Sequence, residues 1–520
     1  MTAQMNLADL FETVVDTVGE RDALVATNRR LTYAELDARA NRLANHLAAQ
    51  GVGPRDHVGL QLVNGTEYVE GMLAAYKIRA VPINVNYRYV EAELKYLFDD
   101  ADLVSLIVND QFADAAAAAG GPKLRHTLVV GEGGDYEAAL AAASPDRPDG
   151  TERSADDLYC VYTGGTTGMP KGVLWRQEDI FFGAMGGGDP IQMGNKIATV
   201  DELPSRIPPM GLTGLVTPPL MHASAQWTAF SLFFGGGKIL FTSGGFDPVE
   251  ILTLIGEERA NMLVIVGDAM ARPLLDTLAA APDTYDTSSL ILIGSGGAIL
   301  SSSMKDELGR LLPTTMIVDG FGSSETGVQG TRAGATDKPM FSVNDQTAVL
   351  DDDYKPIAPG SEEIGRLARR GHIPLGYYND PEKTAKTFAE VDGVRWVLPG
   401  DMARVDADGT VVLLGRGSVS INSGGEKIFP EEVEAALKAH PAVFDAVVVG
   451  VPDERWGERV TAVVQARAGM ALTLEDVQEF CRRHIAGYKV PRALALVDQM
   501  VRSPTGKADY RWAKEYALAH

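Results

Sequence analysis

The chain reads as an α/β protein, with a large N-terminal domain of α/β layers that includes a small β subdomain, and a compact α+β unit after it. Short, apolar, β-suited runs alternate with segments of helical periodicity through most of the sequence, the signature of packed α/β layers. Residues 346 to 415 change character, with turn signals such as Asp408-Gly409 between short strands. Beyond Arg416 strands and helices mix again, which sets the boundary near Gly417 and the domains at 1–416 and 417–520. Of 520 residues 45% are hydrophobic, more than one core can use, since single cores stop growing at about 250 to 300 residues.

In chain order, residues 1 to 20 mix acids into a helical pattern and lack a basic segment followed by an apolar one, so no signal peptide is read there. Leu31, Leu36, Ala40, Leu43, Ala44 and Leu47 recur at helical spacing and Gly51 ends that helix; His57 to Val63 then reads as a buried strand. Ala113 to Ala119 and Ala138 to Ala143 are helix formers. Leu158 to Tyr162 reads as a buried strand containing Cys160. Residues 183 to 214, rich in Gly, Pro and Met, have weak periodicity and read as a long loop, either a surface excursion or a wall of a substrate pocket. The most apolar stretch, Trp227 to Phe241, is interrupted by Gly235, Gly236, Gly237 and Lys238 and is too short to span a bilayer. Met262 to Val266, Leu290 to Ile293 and Met316 to Val318 read as strands. In the C-terminal unit Pro430 starts a helix with Glu431 and Glu432 in its first turn, and Lys438, His440 and Pro441 close it. Ala446 to Val451 and Val460 to Ala466 read as strands, and Leu474, Val477, Phe480 and Cys481 form the apolar stripe of a helix that Thr473 can cap.

Acids outnumber bases 70 to 47, a formal charge of −23. That balance argues against nucleic acid and against a polybasic membrane anchor. Cys160 and Cys481 are the two cysteines, which suits a reducing compartment, excludes a disulfide framework and supports a cytoplasmic location. The sequence is compatible with a homodimer and does not specify an oligomeric state.

Residues 162 to 173 read Tyr-Thr-Gly-Gly-Thr-Thr-Gly-Met-Pro-Lys-Gly-Val. Gly164, Gly165, Gly168 and Gly172 allow tight turns and close ligand approach, Thr163, Thr166 and Thr167 supply hydroxyls, and Lys171 supplies charge, so the loop suits phosphate. It is not a Walker A loop, because Pro170 precedes the lysine and Gly172 follows it where that motif has Gly-Lys-Ser/Thr opening a helix. Further strings follow in order: Gly296-Gly297-Ala298, Phe321-Gly322-Ser323-Ser324-Glu325, Pro399-Gly400-Asp401, Gly415-Arg416 and Ser503-Pro504-Thr505-Gly506-Lys507.

Together these strings resemble the adenylate-forming superfamily of acyl-CoA synthetases, peptide-synthetase adenylation domains and luciferases. The resemblance implies that the first domain binds AMP, that its β subdomain is a small barrel and that the C-terminal domain is mobile. It also implies an enzyme that uses ATP, Mg²⁺ and CoA to convert a carboxylic acid to its acyl-AMP and then its thioester. Thr163 to Gly168 and Lys171 would then hold phosphate, and Gly296, Gly297, Ala298, Asp319, Gly320, Phe321, Gly322 and Ser324 the adenine side. Phe321 stands where the family usually has tyrosine, and Asp319 where relatives often carry Asn or Gln. Asp401 would accept from the ribose hydroxyls and Arg416 would hold ribose or phosphate. Glu325, with Thr166 or Thr167, would hold Mg²⁺, since a hard cation takes carboxylate and hydroxyl oxygens. Lys507 would be the catalytic lysine of adenylation, withdrawn when the C-terminal domain rotates to admit CoA. Ser418 and Val419 stand where the family's hinge usually has polar or charged residues, which leaves the mechanics of that hinge in question. Gly424 and Gly425 would line the pantetheine channel.

His222 matches the residue that borders the carboxylate and gates the acyl and CoA tunnels in acyl-CoA synthetases. Amino-acid-activating relatives have an aspartate hereabouts, whereas Leu215 to Trp227 contains no acid, which points to an acid without an α-amine. Gly267 to Pro273, Gly415 to Lys427, Ala486 to Arg492 and Ser503 to Lys514 look most like bacterial synthetases for steroid side-chain carboxylates, with fatty or aryl acids the near alternative. An adenylation enzyme that loads a carrier protein is the next reading, and an adenylate-forming protein without thioester synthesis the more distant one.

Overall fold

The computed structural model describes the chain apart from residues 1–3, 27–28, 151, 164–168, 191–193, 299, 334–339, 424–425, 454 and 503–506. Near the N-terminus, His57–Gln61 is buried at every position and lies between the parallel strands Val81–Asn84 and Leu103–Asn109, with His126–Val130 outside the latter. Burial at every position is what a parallel strand covered on both faces requires. The helix Tyr33–Ala49 packs against the helix Thr66–Lys77 and is opened by a capping box in which Thr32 and Glu35 satisfy each other's backbone N–H groups.

The next strands, β1 (Leu158–Thr163) and β2 (Lys171–Arg176), are antiparallel, with Thr163 opposite Lys171. Lys171 therefore opens a strand instead of a helix, which agrees with setting Walker A aside. Helix α1 (Gln177–Gly183) follows. The stretch after it is part core and part surface: most of the described residues from 194 to 210 are exposed. Met185, Ile197, Val200 and Leu203 are buried in the main apolar core, and the stretch holds a short helix, Leu203–Arg206. Gly186, at φ 82°, packs so closely that a Cβ would meet Ser231 Oγ at 2.8 Å. Single apolar residues spaced between glycines give no periodicity, so the packing was invisible in the sequence.

Four parallel strands form the centre: β3 (Thr213–Val216), β4 (Met262–Ile265), β5 (Leu292–Gly296) and β6 (Met316–Ser323), paired in that order. Helices α2 (Ala223–Phe234), α3 (Gly267–Ala280) and α4 (Ser302–Leu311) lie in their connections. The apolar stretch from Trp227 divides at Gly235 into the end of α2 and a strand, Lys238–Phe241, that pairs parallel with β3. Beyond β6 the pairing turns antiparallel with β7 (Gly327–Ala333), and the region 346 to 415 continues that way. It includes β8 (Gly365–Arg369), β10 (Asp401–Val405) and β11 (Val411–Arg416), while β9 (Gly376–Tyr377) adds to the edge of β2.

The smaller C-terminal domain builds on the long strands Val443–Asp453 and Gly457–Ala466, covered by the helices Pro430–Lys438 and Leu474–Arg482. Thr473 caps the second helix and Cys481 is fully buried on its inner face. Both cysteines are free, and burial raises their thiol pKa values, that of Cys481 to about 11, so neither is a thiolate at neutral pH. Among the described residues no helix is long and apolar enough to cross a membrane.

Three N-terminal helices are joined by charge. The ammonium of Lys77, fully buried, pairs with Glu12 and, at 2.7 Å, with Asp37. Lys77→Met leaves two buried carboxylates, with only Arg153 and Arg147 nearby to offset them. It should destabilise the domain by about 3 kcal/mol, the low end for breaking a buried pair, measured by chemical denaturation.

Candidate active site

Parallel strands present their carboxyl ends to one edge, where open α/β sheets bind ligands. Here that edge collects the sequence strings. Strand β3 runs into Thr217-Pro218-Pro219 and then His222; β5 ends at Gly296 with Gly297 and Ala298 beyond it. Gly296 pairs with Gly320 and Ser295 with Asp319, so the two adenine-side strings lie on neighbouring strands. Gly297 has φ 82°, a left-handed turn that suits glycine. Gly322 is also required, since a Cβ there would sit 2.0 Å from the carbonyl oxygen of Gly327.

His222 precedes the first turn of α2, and its ring Nε2 is buried with no hydrogen-bond partner among the described residues. Burial, followed by the fields of Lys507 and Arg88, lowers its pKa to about 4. The ring is therefore neutral at physiological pH. The same interaction places the C-terminal lysine, 285 positions away in sequence, within electrostatic reach of the sheet edge. Two asparagines hold the approach to His222. Asn64 Nδ2 donates to the Pro218 carbonyl and its Oδ1 accepts from Leu220 N–H. Asn84, nearly buried, donates to the carbonyls of Tyr162 and Met221 and accepts from Tyr162 N–H. Asn84 thus joins the strand that enters the phosphate loop to the residue before His222.

Glu325 lies in the turn between β6 and β7, where Ser323 is opposite Gly327. It is only 9% exposed and accepts from Tyr377 Oη at 2.8 Å. Trp175 Nε1 donates to the Ser324 carbonyl beside it. A buried, oriented carboxylate at a phosphate site suits Mg²⁺, which takes one or two protein carboxylates and fills its octahedron with phosphate oxygens and water. Glu325 would be the protein ligand, and the ion would supply charge neutralisation between the phosphates.

The remaining residues divide by what the structure describes. Thr163 ends β1. Lys171 begins β2 with its ammonium 3.3 Å from Asp380 Oδ2, so its charge is already shared with a carboxylate. Asp319, expected to face the adenine amino group, instead has Oδ2 bound by the ammonium of Lys305 at 3.0 Å, both side chains nearly buried. Phe321 tilts against Phe341 with ring centroids 4.5 Å apart. Asp401 and Arg416 are opposite each other in the backbone register of β10 and β11. Gly164, Gly165, Thr166, Thr167, Gly168, Gly424 and Gly425 lie outside the described residues.

Sequence reading missed Asn64, Asn84, Arg88 and Tyr377. None belongs to a dense motif, and each acts through a partner distant in the chain.

The lowered pKa of His222 predicts an acid-side effect. Above about pH 6.5 the ring is neutral in folded and unfolded chains alike; between pH 6.5 and 4 the unfolded chain takes up a proton that the folded chain refuses, so stability falls. His222→Gln should therefore lose less stability than the parent between pH 7 and pH 5 in urea denaturation. Equal losses would remove the buried, neutral assignment. Separately, Tyr377→Phe should raise the Mg²⁺ concentration needed for half-maximal activity by about 10-fold.

Comparison with known proteins agrees with this geometry. The family model for AMP-binding enzymes matches residues 11–378, and that for the AMP-binding enzyme C-terminal domain matches residues 432–507. A 3-oxocholest-4-en-26-oate–CoA ligase of Rhodococcus rhodochrous is 50% identical over 98% of this chain and 96% of its own. A medium/long-chain-fatty-acid–CoA/3-oxocholest-4-en-26-oate–CoA ligase of Mycolicibacterium smegmatis is 48% identical with the same coverage. Among solved structures, ATP-bound MatB from Rhodopseudomonas palustris superposes with a TM-score of 0.84 at 27% identity, over 99% of both chains. On these matches over most of its length, the chain belongs to the AMP-binding enzyme family.

Proposed function

We propose that this protein is an AMP-forming acyl-CoA synthetase for bulky hydrophobic carboxylic acids, the steroid side-chain and long-chain fatty acids. The observation that carries the reading is the meeting at one sheet edge of His222, Gly296-Gly297 and the Phe321–Glu325 string, with Lys507 and Arg88 near enough to act electrostatically on His222. Two relatives matching along nearly their whole length are named as ligases that join such acids to CoA. Loading of a carrier protein is not favoured.

Adenylation brings a carboxylate to the α-phosphate of ATP. A carboxylate oxygen forms a bond to phosphorus, the bond to the bridging oxygen breaks and pyrophosphate leaves. All the reactants are anions and the chain carries a formal charge of −23, so catalysis rests on local cations and fixed orientation. Lys507 spans the acid and the α-phosphate. His222, neutral and buried, borders the carboxylate without adding charge and separates it from water. Thioester formation follows: the CoA sulfur attacks the acyl carbon, its proton is lost, and AMP departs with the electron pair of the acyl–oxygen bond. The C-terminal lysine has no part in that second step and can be withdrawn as the domain turns. The buried thiols of Cys160 and Cys481 fit a reducing cytoplasm.

Pyrophosphate release with steroid, long-chain and amino-acid carboxylates, each with and without CoA, tests the assignment. Steroid or long-chain acids should give the highest kcat/KM, with AMP and acyl-CoA as products; ADP as product, or preference for amino acids, would reject it. Lys507→Ala should lower adenylation by roughly 10²- to 10³-fold, by analogy with loss of one preorganised charge contact. Acyl-CoA formation from supplied acyl-adenylate should be nearly retained. An equal fall in both steps would show that the lysine is not specific to the first.

A further inference from the structure

Arg369, the last residue of β8, is 1% exposed. A buried guanidinium is costly unless paired, and among the described residues no carboxylate pairs with it. Its Nη1 instead donates to the backbone carbonyls of Thr326 and Val328, and lies 3.4 Å from that of Gly183. Thr326 directly follows Glu325 and Val328 is three positions beyond it, so the cation grips the hairpin arm that carries the carboxylate. Gly183 ends α1, where unsatisfied carbonyls attract positive charge. Lys196 adds a second cation there, donating to the Phe182 carbonyl at 2.8 Å. Burial lowers the pKa of Arg369 to about 10, which leaves it charged at neutral pH.

A structural clamp of neutral groups would not need a charge, and here one buried cationic nitrogen, Nη1, serves both the Thr326 and the Val328 carbonyls. The location gives the charge a use. Thr326 is fully buried, the Glu325 carboxylate is held from the other side by Tyr377, and the Ser324 carbonyl by Trp175. With Arg369 below it, the turn is fixed at three points around the one carboxylate in the Phe321–Glu325 string.

We infer that Arg369 is a positioning residue for the metal–nucleotide site: it sets the backbone on which Glu325 presents its carboxylate to Mg²⁺ on the ATP phosphates. The inference rests on the adenylate-forming reading and adds to it a residue outside the superfamily strings. Groups that orient a metal ligand typically alter metal affinity by about 10- to 100-fold when removed.

The test is direct binding, without turnover. A non-hydrolysable ATP analogue is titrated by calorimetry into the wild-type protein and into Arg369→Met, once with Mg²⁺ and once with EDTA. The variant should bind the Mg²⁺ complex about 10- to 100-fold more weakly and the metal-free analogue as the parent does. Acyl-CoA formation from supplied acyl-adenylate should persist in the variant. Equal weakening with and without metal, or none, overturns the inference and leaves Arg369 a packing residue. Should Arg369→Met not fold, Arg369→Lys makes the same comparison, because its shorter side chain keeps the charge but withdraws it from the Thr326 and Val328 carbonyls that Nη1 reaches; the same metal-specific weakening supports the inference and its absence overturns it. If the wild-type protein itself binds the analogue no better with Mg²⁺, the adenylate-forming reading fails, and the inference with it. A Mg²⁺ effect in the wild type that both Arg369 variants keep sinks the inference alone.

Discussion

The site depends first on parallel pairing. Strands β3 to β6 run the same way, so each ends on the same edge, and each connection must leave from there. His222, Gly296-Gly297 and the Phe321–Glu325 string are far apart in sequence and adjacent for that reason alone. The switch to antiparallel pairing at β7 folds the chain back as a tight hairpin, which puts Glu325 in a turn at the edge instead of inside the sheet. Gly322 makes that return possible, because any side chain there would collide with the Gly327 carbonyl.

A second constraint is electrostatic. An acidic chain that gathers anionic reactants needs its cations concentrated where they act, and the structure arranges them by depth. Arg88 and Lys507 are exposed at the edge and act on His222 through space. Lys305 is buried against Asp319, while Arg369 is buried under the hairpin that carries Glu325 and donates to the Thr326 and Val328 carbonyls. At low effective dielectric the deeper charges reach further than surface ones. The neutral state of His222 belongs to the same arrangement, since a third positive charge between Lys507 and Arg88 would be opposed by both.

Much of this was legible in the chain. The helix that ends before Gly51, the capped helix of Cys481 and the strands at Met262 and Met316 lie close to their expected positions, because apolar periodicity and caps are local signals. The strings that resemble those of the adenylate-forming enzymes were equally plain, being short and contiguous. The 183 to 214 segment was less so. Its buried residues are scattered among glycines and prolines, and their packing against α2 is set by partners elsewhere.

The sequence by itself determined the α/β class, the two-domain order and the residue types offered to an adenylated acid, since these follow from local pattern and from motifs whose members are neighbours. Only the tertiary structure decided which groups stand charged, neutral or shared. Asp319 reads as a free acceptor until Lys305 is found against it, and Lys171 as a free cation until Asp380 is. Arg369 reads as one of two adjacent surface-like arginines until β8 carries it under the Glu325 turn. Charge state and hydrogen-bond partnership are properties of burial and proximity, and both are created when segments distant in the chain pack together.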